Sequence, residues 1–200
     1  MNEGLLAQFI PQGGAHLYFH INTEQIQNTM RKIILNVAIS LDGFIEGPNG
    51  EFDWCFMDQD YGMTDFMNRT DAIFFGRKSY QLVLDYGIGY YAYAKKYVFS
   101  KTLTEASSEN TIIINEDLVE AVNKIKTEPG KDIWLFGGAS LVTAFMQNDL
   151  LDELMLSVHP ILLGSGKPLF QNIKERIKLE LTNSQTFSTG LVQLFYNVLR

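Results

Sequence analysis

The chain has 200 residues, of which 46% are hydrophobic, and a formal net charge of −7 at pH 7. That length is enough for one well-buried core, and the acidic balance argues against nucleic acid or an anionic membrane as the main partner, because both require a basic surface. The single cysteine, Cys55, excludes an intramolecular disulfide, and no run approaches the roughly 20 apolar residues of a membrane span. With no secretory pattern at the start, these features predict a cytoplasmic protein.

The first 29 residues differ from the rest of the chain. Residues 1–29 contain scattered apolar side chains, one Pro-Gln-Gly-Gly break and no sustained period. We expect them to form an N-terminal extension of unknown role, since a core strand or helix needs a repeating apolar pattern. The predicted domain spans residues 30–200.

From residue 33 onward, strand-like and helix-like segments alternate. In segment 117–126, Leu118, Val122 and Ile125 share one helical face, and acidic Glu116 and Asp117 stand at the positive end of the helix dipole. The alternation predicts an α/β domain with a mixed, mostly parallel sheet between helices, closed by an antiparallel hairpin. The predicted elements in chain order are strand 33–40, helix 61–68, strand 72–75, helix 78–84, strands 97–99 and 111–114, helix 117–126, strand 133–136, a helix from 139, and strands 153–158, 178–186 and 191–199.

Two strand-to-helix junctions are candidate ligand sites, because ligands of open α/β sheets lie beyond the carboxyl ends of the strands. In FFGRKSY, a glycine is followed by Arg77, Lys78 and Ser79, and unpaired N–H groups with two cations favour a phosphate. A solvated helix start capped by Ser79 is the alternative. In LFGGASL, Gly137 and Gly138 permit either a tight turn or close approach of a ligand. Two such junctions suit a dinucleotide, although neither matches the Rossmann or P-loop glycine pattern.

Five stretches together resemble the dihydrofolate-reductase-like fold, in the form of the bacterial reductase domain of riboflavin biosynthesis, part of the bifunctional deaminase-reductase family. The resemblance covers residues 30–200 and implies a three-layer αβα fold around a sheet of eight strands, and an NADPH-dependent reductase. The five stretches are NVAISLDGFIEGPNGEFDW, FFGRKSY, YVFSKTL, DIWLFGGASLV and LDELMLSVHPILLGSGKPLF.

The resemblance also implies cofactor contacts. It assigns the adenosine-side phosphates to the first junction, the adenine and 2′-phosphate to the Phe-Ser-Lys segment, and the pyrophosphate and nicotinamide ribose to the glycine pair. Backbone groups of two further residues are expected to hold the nicotinamide carboxamide. The implied cofactor-binding residues are Gly76, Arg77, Lys78, Ser79, Phe99, Ser100, Lys101, Gly137, Gly138, Ala139, Ser140 and Leu141, with Ala38 and Ile45 for the carboxamide.

On the substrate side, the resemblance implies contacts from Asp42, Trp54 and Ser157. Asp60 falls where folate reductases keep a buried catalytic carboxylate that faces the hydroxyl matched by Ser157. Each residue also has a structural interpretation: Asp42-Gly43 as a turn, Trp54 as a core aromatic, and Asp60 as a solvated residue at a helix start, the interpretation that the polar surroundings favour. His159 is expected to be structural, and no spacing indicates a metal.

We therefore expect an NADPH-dependent oxidoreductase that passes a hydride to a small heterocyclic or ribosylamino-pyrimidine substrate, similar to 5-amino-6-(5-phosphoribosylamino)uracil reductase. The alternatives are a dihydrofolate reductase, an NADPH-binding protein without turnover, and an unrelated α/β domain with tight turns. The final strand-like run, 191–199, has apolar residues on both faces, and together with the resemblance it predicts a homodimer.

Overall fold

The computed structural model of the protein describes residues 30–200, so the predicted extension 1–29 lies outside the described residues. Within 30–200, none of the helices has the length and apolar character to cross a bilayer. The strands are β1 (Ile33–Ser40), β2 (Phe44–Glu46), β3 (Thr70–Gly76), β4 (Lys95–Phe99), β5 (Thr111–Ile114), β6 (Asp132–Gly137), β7 (Glu153–His159), β8 (Lys167–Pro168), β9 (Lys178–Thr186) and β10 (Val192–Leu199). The helices are α1 (Met63–Arg69), α2 (Arg77–Tyr86), α3 (Leu118–Lys126) and α4 (Ala139–Gln147), with a short 3-10 helix at Ile88–Tyr91.

Eight strands form one sheet in the order β5-β4-β3-β6-β1-β7-β10-β9. The strands from β5 to β7 are all parallel, and β10 and β9 follow as antiparallel partners. This arrangement confirms the predicted mixed, mostly parallel sheet and its closing hairpin. The small sheet of β2 and β8 was not predicted, since strands of two or three residues show no period.

Both faces of the sheet are covered by helices. One core cluster packs α3 and α4 against the first face through residues such as Ile33, Val122 and Phe145. The other packs α1 and α2 against the second face through Phe66 and Tyr80. Because β1 is buried on both faces, it has the near-continuous apolar sequence of a central parallel strand.

Helix α1 begins two residues later than the predicted helix 61–68. Tyr61 and Gly62 both have left-handed backbones, with φ of 48° and 75°. Two such residues cannot continue a right-handed helix, so they form a turn and the helix begins at Met63. The Gln193 side chain, which is buried, holds this turn by donating to the Tyr61 carbonyl at 2.8 Å.

The edge at which the parallel strands begin is rich in ion pairs. Lys126, whose side chain is 7% exposed, donates to Asp152 at 2.7 Å, and Arg200 donates to the other oxygen of the same carboxylate at 2.8 Å. Arg31 pairs with Asp71 across the ends of β1 and β3. These contacts fix the C-terminus and the end of α3 to the start of the sheet.

Candidate active site

The carboxyl ends of four neighbouring parallel strands bring the predicted cofactor residues together. In sheet order these strands are β4, β3, β6 and β1. Strand β4 ends at Phe99-Ser100-Lys101, β3 leads into Gly76, and β6 leads into the Gly137-Gly138 pair. Segments that are distant in sequence therefore lie side by side on one edge, where an extended dinucleotide could contact all of them.

The two glycine junctions touch each other. A Cβ atom placed on Gly76 would lie 3.5 Å from the Gly137 carbonyl oxygen, and one placed on Gly138 would lie 3.2 Å from the Ser79 hydroxyl. Gly137 and Gly138 have φ of 110° and 68°, a backbone that L-residues rarely adopt. The glycine pair is therefore required by backbone conformation and close packing, apart from any ligand contact.

Helices α2 and α4 both begin at this edge without a capping side chain. Their N-cap residues are Gly76 and Gly138, and neither helix start receives a hydrogen bond from a side chain of residues 30–200. The structure thus rules out a cap by Ser79, one of the two interpretations of the first junction. Free N–H groups at the positive ends of two adjacent helices form an anion-binding surface.

Two cations stand beside these helix starts. Arg77 and Lys78 are exposed, and neither makes a salt bridge with any residue from 30 to 200. Ser140, in the first turn of α4, is also exposed, whereas Ala139 is fully buried and Leu141 half-buried. The charge at the edge is therefore available for a phosphate.

A cleft of about 390 Å³ opens at the ends of β4 and β5, lined by Phe99, Ser100, Lys101, Ile114, Glu116, Asp117 and Leu118. The Ser100 hydroxyl accepts hydrogen bonds from the backbone of Thr102 and Leu103, so it shapes the turn. The Lys101 ammonium donates to the carbonyls of Asn115 at 2.6 Å and Glu116 at 3.1 Å. Lys101 is therefore already engaged by backbone oxygens, and two carboxylates share the cleft with it.

Ala38 and Ile45, predicted to hold the carboxamide, lie on β1 and β2. Ala38 is half-buried and pairs in register with Ser157 of β7. Ile45 packs its side chain against the core cluster of the first face. Ala38 lies near the carboxyl end of β1, and Ile45 lies in the short strand that follows it.

Asp42 ties two loops together. Its carboxylate accepts hydrogen bonds from the Ser40 hydroxyl at 2.6 Å and from the backbone N–H groups of Leu163 and Gly164. The Ser40 hydroxyl bond is the main cause that lowers the pKa of Asp42. Since both oxygens serve the loop after β7, the geometry fits the turn interpretation better than direct substrate contact.

Trp54 lies in a loop that is held on the sheet by His159. His159 Nε2 accepts the Phe56 N–H at 3.0 Å, and its Nδ1 lies 3.0 Å from the Ser157 carbonyl, so the proton must be on Nδ1. The Trp54 ring meets the His159 ring edge to face, with 5.2 Å between centroids. Burial lowers the pKa of His159, which fits its predicted structural role as a neutral imidazole.

The structure does not place Asp60 in the buried position that the folate-type role requires. Its carboxylate is exposed and accepts hydrogen bonds from the Thr64 N–H at 3.1 Å and the Thr64 hydroxyl at 2.9 Å. Ser157 Oγ instead accepts from the Gln193 amide at 3.2 Å. The favoured interpretation of Asp60, a solvated residue at a helix start, describes this geometry.

The sequence matches the family described as RibD C-terminal domain over residues 31–193. The chain belongs to this family. It is 50% identical over 179 residues to Uncharacterized protein YyaP of Bacillus subtilis, with 84% of this chain and 95% of YyaP covered. Uncharacterized protein YwjB of the same organism is 36% identical over 173 residues, with 83% and 97% covered.

Solved structures agree with this family assignment. A structure from Shewanella sp. PV-4, described as a candidate riboflavin biosynthesis protein, superposes with a TM-score of 0.77 at 26% identity, covering 84% of this chain and 99% of that one. A deaminase/5-amino-6-(5-phosphoribosylamino)uracil reductase of Thermotoga maritima gives 0.66 at 15% identity, with 86% of this chain and 57% of that one covered. The second likeness shows the fold alone.

Sequence reasoning missed two buried polar residues of this site, Asn36 and Gln193. Gln193 bridges Tyr61 and Ser157, as described above. Asn36 lies in the middle of β1, in IILNVAIS. A single amide inside an otherwise apolar strand was the signal that could have identified it.

Proposed function

We propose that the protein is an NADPH-dependent reductase that acts on a small heterocyclic substrate of the ribosylamino-pyrimidine type. The observation that carries the proposal is the meeting at one sheet edge of two glycine-capped helix starts and two cations that make no salt bridge within residues 30–200. Membership of the RibD C-terminal domain family supports the reductase chemistry.

The residues at this edge fit a dinucleotide. The N–H groups at the starts of α2 and α4 would hold the pyrophosphate, with Arg77 and Lys78 balancing its charge. The cleft beside Phe99 and Ser100 would take the adenosine. The backbone of Ala38 and Ile45 would orient the nicotinamide. Bound reduced nicotinamide supplies a hydride, and the chain supplies position and exclusion of water.

Preference for NADPH over NADH would depend mainly on Arg77. Lys101 is bonded to two carbonyls, and Glu116 and Asp117 line the same cleft. A 2′-phosphate in this cleft would therefore meet two carboxylates and one engaged cation, which leaves Arg77 as the available partner.

A dihydrofolate reductase is the weaker alternative. The carboxylates of Asp42, Asp53, Asp58, Asp60 and Asp65 are all exposed. Burial raises the pKa of Cys55 to about 11, so that thiol stays protonated at neutral pH. Because no buried carboxylate occurs in segment 42–65, this segment offers no acid like that of folate reductases. NADPH binding without turnover stays a second candidate.

We also propose a homodimer through the first face of the closing hairpin. Leu179 and Leu181 of β9 are exposed there, and Leu194, Tyr196 and Val198 of β10 are half-buried beside them. The second face of β10 contains Gln193 and Asn197 as well as Phe195, so the first face is the more apolar of the two. Light scattering at micromolar concentration tests the dimer, and a monomer would contradict it.

The central experiment is a titration of the protein with NADPH and NADH, followed by nicotinamide fluorescence. Tighter binding of NADPH is expected. The loaded protein is then screened with pteridine and pyrimidine substrates for loss of reduced-nicotinamide absorbance. Binding with no loss for any substrate would favour the protein without turnover, and no binding of either nucleotide would refute the proposal.

A further inference from the structure

Asn36 is a polar side chain in the most buried strand of the sheet. The residue is 7% exposed. The register pairs Asn36 with Met155 and Ser40 with His159, and Ile34 belongs to the core cluster of the second face. Because alternate residues of a strand share a face, the Asn36 side chain points to the face covered by α1 and by the loop that contains Trp54.

The hydrogen-bonding capacity of Asn36 is almost unused within the protein. A carboxamide has two N–H donors and an oxygen with two lone pairs. The amide nitrogen contacts only the Met63 sulfur, a weak acceptor, at 3.5 Å. The amide oxygen accepts no hydrogen bond from residues 30–200, and the Trp134 ring nitrogen donates to the backbone oxygen of Asn36 instead. Among residues 30–200 the only fully buried side-chain N or O atom without a partner is Trp54 Nε1, so the Asn36 oxygen keeps some solvent access and can reach a ligand.

A second orphan group lies on the same face. Trp54 Nε1 is buried and has no hydrogen-bond partner among the described residues. Trp54 packs against His159, which the register places on the same face as Asn36. Trp54 Nε1 is therefore a second polar group with unused hydrogen-bonding capacity on the side of the sheet to which Asn36 belongs.

We propose that Asn36 determines substrate specificity by pairing with a –C(=O)–NH– edge of a planar heterocycle, an inference that rests on the proposed reductase function. The carboxamide donates to the ring carbonyl and accepts from the adjacent ring N–H. An amide is complementary to such an edge without any charge. A ring that lacks the edge leaves the amide without these partners, and a site built for hydrogen bonding rejects such a ring.

The test compares two probes of one ring shape. Lumazine has the carbonyl and N–H edge, and unsubstituted pteridine lacks it. Each is titrated against the full-length protein, with and without NADPH, and binding is followed by protein fluorescence. Wild-type protein is expected to prefer lumazine by about tenfold or more. Asn36→Leu, which keeps the branched shape, is expected to bind both probes equally and to leave NADPH affinity unchanged.

The melting temperature separates a substrate-binding role of Asn36 from a structural role, because loss of a stabilising side chain would lower the Tm. Asn36→Leu replaces an amide whose one hydrogen bond within residues 30–200 is the weak contact to the Met63 sulfur by an apolar side chain in a mostly buried strand, so we expect its Tm to rise, by about 2–4 °C. If the leucine variant does not fold, Asn36→Ala removes the same groups without added volume and serves for the binding test.

The proposal is overturned if the lumazine preference survives in a folded Asn36 variant, if wild-type protein shows no preference, or if Asn36→Leu folds with a lowered Tm. Failure of the proposed function is distinguishable, because it would appear as loss of NADPH binding by wild-type protein. The lumazine comparison without NADPH would still decide the role of Asn36.

Discussion

At the edge where the parallel strands begin, Lys126 and Arg200 share the carboxylate of Asp152, and Arg31 pairs with Asp71. At the edge where the same strands end, Arg77 makes no salt bridge within residues 30–200, as is also true of its neighbour Lys78. The protein thus neutralises its own charges at one edge and leaves cations unpaired at the other.

The helix starts at the carboxyl edge differ among themselves. The start of α3 has a built cap, since Asp117 accepts from Val119 and Glu120. The starts of α2 and α4 at the carboxyl edge have glycine N-caps and no side-chain cap. The part of the carboxyl edge at α2 and α4 is therefore incomplete in both charge and hydrogen bonds, which supports the proposal of a ligand there.

Removing Asp152 should produce the largest loss of stability. Asp152→Ala leaves the buried Lys126 ammonium unpaired and removes the acceptor of the Ile33 N–H, so we expect a loss of about 3–5 kcal/mol in the free energy of unfolding. Denaturant unfolding measures this loss. Lys95→Met, which breaks an exposed pair with Glu128, is the control and should cost below about 1 kcal/mol. NADPH affinity of folded Asp152→Ala should be unchanged, and a parallel loss of affinity would break the contrast between the edges.

Substituting Gly138, in contrast to Asp152, should weaken NADPH binding. Gly138→Val places a branched side chain where φ is 68° and where a Cβ lies 3.2 Å from Ser79 Oγ. We expect NADPH binding to fall about hundredfold, or about 2.7 kcal/mol, with about 1–3 kcal/mol of backbone strain in the fold. Gly87→Val at the other end of α2, also at positive φ but in open space, controls for strain alone. Unchanged affinity in well-folded Gly138→Val would remove the cofactor site from this junction.

Arg77→Ala should weaken NADPH more than NADH, because only NADPH carries the additional phosphate. The side chain is exposed, so we expect about 1 kcal/mol, or roughly fivefold in Kd, rather than the larger value of a buried contact. Lys101→Ala should have a smaller effect, since its ammonium is bonded to two carbonyls. The Kd of each nucleotide is measured by titration for wild type and for each variant. Equal losses of affinity for the two nucleotides would show that Arg77 does not contact the 2′-phosphate.

Protonation of His159 should loosen the carboxyl edge. Burial lowers its folded-state pKa, so the unfolded chain takes up a proton first as pH falls below the ordinary value of about 6.5. Stability should therefore be fully present above about pH 6.5 and decline below it, by less than about 1.4 kcal/mol per pH unit. His159→Gln, which can still accept the Phe56 N–H, should lack this component of the pH dependence. An identical pH profile for both proteins would contradict the role of His159.

The sequence predicted the sheet class and both glycine junctions, because glycines, charges and apolar periods are local signals. It did not predict that Gly138 would touch Ser79, since that contact depends on β3 lying beside β6, a feature of strand order. Asn36 was missed for the same reason: its lack of partners depends on what α1 and β6 place around it. Tyr61 and Gly62 were wrongly assigned to a helix. The hydrogen bond that holds their turn comes from Gln193, which is far along the chain and gives no local signal.

Asp60 is where a folate-type site and the observed site differ, and its substitution should have the smallest effect of the five. The carboxylate is exposed and accepts from Thr64 at the start of α1. An asparagine oxygen can accept the same bonds, so Asp60→Asn should change stability by no more than a few tenths of a kcal/mol. Asp60→Ala removes the acceptor and should cost about 0.5–1 kcal/mol.

If a substrate is found, hydride transfer measured in a single turnover should be unchanged in Asp60→Asn, because a solvated cap donates no proton to the reaction. A strong fall in that rate, with NADPH binding intact, would instead show that the loop moves Asp60 into the site when substrate binds.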